Sequence, residues 1–302
     1  MKFCLGTVQF GMNYGICNQM QPTIDDSVNM LDYATQNGIN AIDTAFAYGT
    51  AEDVVGKFLK KKTIAREKLF ISSKFKPNNL DNIKEEDYIK VIKENLETQL
   101  KRLSTDYLDS YMFHSSRYAF DDTILKALYE VKKEGKIKHC GVSVYYPDEA
   151  KKCIYSPYVD FMQLPFSIFD QRMAKEGIFE LAKQEKSTQI HSRSAFIQGL
   201  ILLKEEDVPP FLSEAKPIVK KIDKICREYN LNRISLAINF VKQFDEISHL
   251  VLGVDNIEQL KQDIKFFEEE IPANIIKSIG AEFQNIETNI VMPSLWGKEA
   301  KK

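Results

Sequence analysis

Four proton-handling residues within the first 114 positions stand out by their placement: Asp43, Tyr48, Lys74 and His114. Each stands at or just past the end of an apolar, strand-like run. Asp43 follows Ile39-Asn40-Ala41-Ile42, with Tyr48 five residues further on in the stretch Asp43–Glu52. Lys74 ends the run Leu69–Ser73, and His114 ends Leu108–Phe113. A phenol, an ammonium, a carboxylate and an imidazole can together deliver a proton to a reacting oxygen. Plainer readings compete. Asp43 could cap the following segment with Tyr48 packed over it. Lys74 could snorkel at a rim, and His114 could be a hydrogen-bonded core histidine. Glu52 reads as the start of the next helix, where its charge meets the positive helix end.

The elements that would position these groups alternate regularly. Strand-like runs cover Phe3–Leu5, Ile39–Ile42, Leu69–Ser73, Leu108–Phe113, Lys138–Val142, Val159–Met162, Thr188–Ser192 and Leu250–Leu252. Between and after them, helical periodicity covers Asp25–Gln36, Glu52–Lys61, Glu85–Arg102, Asp122–Lys133, Pro147–Lys152, Lys175–Lys186, Ser213–Tyr229, Arg233–Lys242 and Ile257–Phe267. Eight strand–helix units without an intervening linker imply a parallel sheet with right-handed crossovers. No GxGxxG follows the first strand, which argues against an open dinucleotide-binding sheet. The expected fold is a single α/β domain, residues 1–302, built as a (β/α)8 TIM barrel over about 3–268. A C-terminal tail, 272–302, would lie near the barrel mouth.

In such a barrel the active site gathers at the carboxyl ends of the strands. The polar residues at those tips are Thr7, Asp43, Lys74, His114, Ser143, Gln163 and Arg193. A row of seven is hard to ascribe to packing alone.

Composition excludes several classes of function. Lysine and arginine total 41 against 43 acidic residues, for a net charge of −2, and no single-sign block recruits nucleic acid or an anionic membrane. The Lys-rich end, Lys298–Lys302, reads as a solvated terminus. Five single cysteines (Cys4, Cys17, Cys140, Cys153, Cys226) form no CxxC pair and read as reduced thiols, with Cys4 and Cys140 in the core. No apolar run reaches the ~18 residues of a bilayer span, and the N-terminus turns polar too soon for a signal peptide. A soluble, cytoplasmic protein is expected, with its oligomeric state left open. The four histidines show no metal-like i,i+4 pair, so no metal site is expected.

The sequence resembles the aldo-keto reductase superfamily over about Phe3 to Phe267. The segments that carry the resemblance are GTVQFG (6–11), DTAFAYGTAE (43–52), ISSK (71–74), YLDSYMFH (107–114), GKIKHCGVS (135–143), DFMQLPF (160–166), RSAFIQGLIL (193–202) and LGVDNIEQL (252–260). The resemblance implies an NAD(P)(H)-dependent oxidoreductase that reduces an aldehyde or ketone, sugar-like carbonyls included, by direct hydride transfer. Its catalytic Asp, Tyr, Lys and His fall on Asp43, Tyr48, Lys74 and His114. On that assignment Lys74 lowers the pKa of Tyr48, the general acid, Asp43 holds Lys74, and His114 orients the substrate oxygen.

Cofactor contacts carry over to Thr7, Ser143, Gln163, Arg193, Gly253, Asp255 and Gln259, with two departures. The family's Asn after strand five is Val144. An aromatic usually stacks on the nicotinamide after strand seven, and Arg193 stands there; a guanidinium plane can also stack on a ring. After strand eight, Asp255 replaces the cations that grip a 2′-phosphate in NADPH-preferring relatives. That favours NAD(H), the family at large favours NADP(H), and the choice stays open. Tyr14, Phe46, Arg117, Tyr118 and Trp296 are candidate substrate-pocket residues, although Trp296 could equally anchor the tail and Arg117 could be a solvated loop residue. The hairpin that plugs the barrel bottom in many relatives looks absent or very short. Two other readings share the barrel: a Schiff-base aldolase using Lys74, and a non-catalytic, cofactor-binding regulatory subunit.

Overall fold

A computed structural model describes residues 1–16, 20–185 and 188–296. Cys17, the last residue of the expected helix Lys175–Lys186, and the Lys-rich end lie outside them. Eight parallel strands close into a barrel in chain order: β1 (Lys2–Gly6), β2 (Ala41–Asp43), β3 (Phe70–Phe75), β4 (Leu108–Phe113), β5 (Ile137–Ser143), β6 (Phe161–Pro165), β7 (Gln189–Arg193) and β8 (Ile247–Gly253). The seam between β1 and β8 runs from Lys2↔His249 to Gly6↔Gly253. The expected barrel is therefore the observed one.

Local chemistry explains the helix bounds. Thr23 caps Ile24–Gln36 by accepting from the Asp26 amide at 3.1 Å. Asp121 does the same for Asp122–Lys133, whose basic last turn (Lys132, Lys133) suits the negative helix end. Tyr88–Leu103 turns Ile92, Leu96, Leu100 and Leu103 onto the barrel. Burying each such side chain is worth about 1.5–3 kcal/mol.

Several boundaries depart from the sequence reading. Glu85–Asp87 is a separate 3-10 turn ahead of Tyr88. The expected helix from Lys175 is two pieces, Arg172–Lys175 and Ile178–Glu185, broken where Gly177 takes φ 69°. The helix expected from Ser213 starts at Lys216, with Pro217 in its first turn, where proline's missing N–H is harmless. β3 and β6 run beyond Lys74 and Gln163, so these two side chains lie inside strands, not past their tips.

At the amino end of the barrel the interior is filled by rings. Phe70 lies 5.3 Å from His191 and 5.7 Å from His249, the two imidazoles are 4.3 Å apart, and Phe161 meets His191 at 4.6 Å. This ring cluster fills the amino end of the barrel interior. Cys4 and Cys140 are buried as expected, and so are Cys153 and Cys226. Between 273 and 296 the chain forms two α-helices, Ala273–Ala281 and Thr288–Val291, that pack on the barrel. No helix among the described residues is long and apolar enough to cross a membrane.

Candidate active site

Lys74 and Asp43 form a buried ion pair at the carboxyl end of β2 and β3. The ammonium lies 2.8 and 2.6 Å from the two carboxylate oxygens and 3.0 Å from the Thr44 carbonyl. Gln163 adds a fourth contact, donating from Nε2 to Asp43 Oδ1 at 2.7 Å. Lys74 is fully buried and Asp43 is 3% exposed. Two charges in so dry a place are tolerable only with such complete pairing. All three ammonium protons therefore point at these oxygens, and none is left for a substrate carbonyl or for Tyr48.

Tyr48 stands over this pair, its ring 4.9 Å from the Lys74 nitrogen and edge-on to His114 at 5.8 Å. The expectation that Lys74 lowers the Tyr48 pKa is not met. Burial first, and the Asp43 carboxylate second, hold the phenol above its ordinary value, with Arg193 opposing them. The ammonium's influence is cancelled by the carboxylate it is bound to. His114 is driven the other way, down to about 3, by burial and then by the charges of Lys74 and Arg193. Its Nδ1 is buried without a partner among the described residues. At neutral pH both groups are uncharged: a phenol that still carries its proton, beside a neutral imidazole.

The loop bearing Tyr48 is clamped from behind. Arg102 donates to the Gly49 carbonyl at 2.6 Å, pairs with Asp53 at 2.8 Å, and lies 3.0 Å from Glu52 Oε2. Glu52 stands in the first turn of the helix Ala51–Lys60, as expected, and is in addition fully buried. Its Oε1 accepts from Ser73 at 2.7 Å and from Gln99 at 2.6 Å, and Gln99 also reaches the Lys74 carbonyl at 3.0 Å. Thus the strand carrying Lys74 and the loop carrying Tyr48 share one polar network. From the other side Gly11 presses on the same loop: a Cβ there would meet the Tyr48 carbonyl oxygen at 1.7 Å.

A cleft of about 650 Å³ opens beside Tyr48 and His114, within the size range of small-molecule sites. One wall comes from the β1 loop (Thr7, Gln9, Tyr14) and another from the segment after β7 (Arg193–Gly199). β8 and its helix supply Gly253, Asp255, Gln259 and Asp263. The two loops touch across it: Gln198 donates to the Tyr14 hydroxyl at 3.2 Å and accepts from the Ile16 amide at 2.9 Å. Ser194, Ile197 and Gln198 all take positive φ, uncommon for non-glycine residues and strained for a β-branched one, as expected of a ligand-facing turn.

The structure brings some of the expected residues together and leaves others out. Thr7, Tyr14, Asp43, Tyr48, His114, Arg193, Gly253, Asp255 and Gln259 line the cleft. Ser143 and Gln163 are buried next to each other in register, below its lining. Phe46 lies outside, between Lys76 and Arg102, at 5.7 and 5.8 Å. Tyr118 is a packing residue: it is 4% exposed, its ring is edge-on to Phe113, and its hydroxyl donates to Asp81 at 2.7 Å. Arg117 pairs with the same Asp81 and borders a small shelf with Asn78, Ser116 and Tyr145 that adjoins His114. Trp296 anchors the tail by donating to the Ile290 carbonyl at 3.1 Å, and Pro293 and Ser294 reach the cleft in its place.

Polar lining residues that escaped the sequence reading include Gln9, Tyr145, Gln198 and Asp263. Gln198-Gly199 was visible as a polar break in the apolar run Ala195–Leu203. Tyr145 carried no comparable signal; it matters because the Arg193 guanidinium lies 4.3 Å over its ring.

The residues present suit a dinucleotide. The cleft offers backbone at Gly6, Gly199 and Gly253, and Gln9 Oε1 is buried without a partner beside Gly253. Gln163 Oε1 is likewise unpartnered. Such acceptors fit the amide and hydroxyl donors of a nicotinamide nucleotide.

Comparison with known proteins points the same way. The model of a family described as "Aldo/keto reductase family" matches residues 2–281. The Escherichia coli protein Tas is 27% identical, covering 93% of each chain. The E. coli NADH-specific methylglyoxal reductase is 26% identical over 75% of this chain and 78% of that one. The solved holo form of aldo-keto reductase AKR11C1 from Bacillus halodurans aligns with a TM-score of 0.74 at 21% identity, covering 96% and 95% of the two chains.

Proposed function

The chain belongs to the aldo/keto reductase family, NAD(P)H-dependent oxidoreductases acting on carbonyl groups, and we propose that it reduces an aldehyde or ketone to an alcohol with Tyr48 as the proton donor. The observation that carries this reading is the protonated phenol of Tyr48 beside the neutral ring of His114 in one cleft. The bound cofactor supplies the hydride. His114 positions the carbonyl oxygen by hydrogen bonding, and Tyr48 transfers its proton to that oxygen as negative charge develops there.

Lys74 acts through structure. Its paired ammonium fixes Asp43 and holds the ends of β2 and β3 beneath Tyr48. An ammonium engaged with three oxygens and covered by Asp43 and Tyr48 is poorly suited to form a Schiff base, which needs a free, neutral amine. That speaks for the reductase over the aldolase.

Gln9, Gln259 and the loop after β7 would hold the cofactor. Asp255 lines the same cleft, and its carboxylate would repel a 2′-phosphate while accepting hydrogen bonds from free ribose hydroxyls; Asp263 beside it, pushed up to about 7 by burial, adds little charge. NADH is therefore the proposed reductant, a preference that the name of the NADH-specific relative also carries. The test is stopped-flow oxidation of bound NADH by a panel of aldehydes and ketones. Turnover with some of them is expected, and tight NADH binding with no oxidation by any would remove the assignment.

A further inference from the structure

Among the described residues at the reaction end, Arg193 carries the charge that its surroundings leave unbalanced. Lys74 and Asp43 cancel each other at 2.6 Å, and Tyr48 and His114 are neutral. The Arg193 guanidinium donates to the Val144 carbonyl at 3.1 Å and to the Ser194 hydroxyl at 3.3 Å, and it lies over the Tyr145 ring at 4.3 Å. None of these partners is a carboxylate. Its place over the Tyr145 ring and the bond to Val144 fix the cation, half-buried, where water screens it poorly. Its field reaches Tyr48, His114 and Tyr14, so it spans the place where a carbonyl would meet both proton-handling groups.

Hydride transfer requires the donor ring in van der Waals contact with that carbonyl, so the ring must enter the same field. The two redox forms of the cofactor differ there by a full charge: the oxidised nicotinamide is a cation and the dihydro form is neutral. We infer that Arg193 makes the cleft discriminate between cofactor redox states, holding NADH more tightly than NAD⁺ by repelling the oxidised ring. The consequence is directional. The reduced cofactor binds against little competition from the oxidised pool, and repulsion of the newly formed cation hastens its departure. This inference rests on the proposed reductase function and concerns one residue in which the chain departs from the family pattern, where an aromatic is usual.

The experiment is calorimetric titration of the full chain with NADH and with NAD⁺, for the unmodified protein and for Arg193→Met and Arg193→Lys. Both dinucleotides share the pyrophosphate, riboses and adenine, so any contact of Arg193 with those parts cancels in the ratio of the two Kd values. The unmodified protein should favour NADH by on the order of tenfold, as expected for unit charges several ångströms apart in a partly buried site. Arg193→Met should bring the ratio close to one, chiefly by tightening NAD⁺, while Arg193→Lys retains most of the preference. Raising the salt concentration should lower the ratio in the unmodified protein more than in Arg193→Met. A ratio unchanged in Arg193→Met, or a parallel loss of affinity for both forms, would overturn the inference while leaving the reductase reading in place. Failure of the unmodified protein to bind either dinucleotide would remove that reading and the inference with it.

Discussion

Lys74 directs its three ammonium protons to Asp43 and Thr44, and the phenol of Tyr48 above it receives none. The ion pair is thus a foundation of the site, and Tyr48 remains a phenol whose proton is available for transfer.

Removing one member of the pair should be harsh. Asp43→Asn leaves an uncompensated ammonium in a fully buried position, at about 3–5 kcal/mol of stability. Urea unfolding should show that loss, and Asp43→Asn combined with Lys74→Met should recover much of it. A single variant as stable as the unmodified protein would contradict the burial and pairing described for Lys74.

Acid should act on the other end of the barrel. Burial, then neighbouring positive charges, lower His191 well below its ordinary 6.5 and His249 to about 4. Both rings are therefore neutral when folded, while in the unfolded chain they take up protons below about pH 6.5. The unfolded state then binds more protons, so stability is fully present above that pH and falls as pH drops toward 4. Unfolding midpoints measured from pH 7.5 to pH 4.5 should decline, and His191→Leu should flatten the decline. An equal slope in that variant would exclude His191 as a source of it.

Cofactor choice should respond to Asp255. With its carboxylate replaced in Asp255→Ser, NADPH affinity should improve about tenfold while NADH affinity falls, its ribose hydroxyls having lost a charged acceptor. The measurement is a pair of binding titrations. NADPH already bound as tightly as NADH by the unmodified protein would contradict the proposed role of Asp255.

The barrel was legible because each strand run was short, apolar and followed by a helical period. Asp43, Tyr48 and His114 were legible as polar residues after such runs. What escaped depends on contacts distant in sequence. The burial of Glu52 arises only when Arg102, 50 residues away, folds against it. The direction of the Tyr48 shift needs to know that Asp43 cancels Lys74, which residue types alone do not disclose. Tyr118 and Phe46 were aromatic residues in active-site loops, but hydrogen bonding to Asp81 and flanking cations turned them away from the cleft. Ser143 and Gln163 are absent from the cleft lining for a geometric reason: they sit buried side by side in the register of β5 and β6, where Gln163 Oε1 stays an unpartnered acceptor among the described residues.

The central claim is that the Tyr48 hydroxyl supplies the proton. Its most direct test is single-turnover reduction of a reactive carbonyl by the NADH-loaded Tyr48→Phe variant, alongside titration of that variant with NADH. The hydride step should slow by roughly 10²–10⁴-fold, the usual contribution of a positioned general acid, with NADH affinity changed less than about twofold. Reduction at the unmodified rate by a variant that binds NADH normally would contradict it.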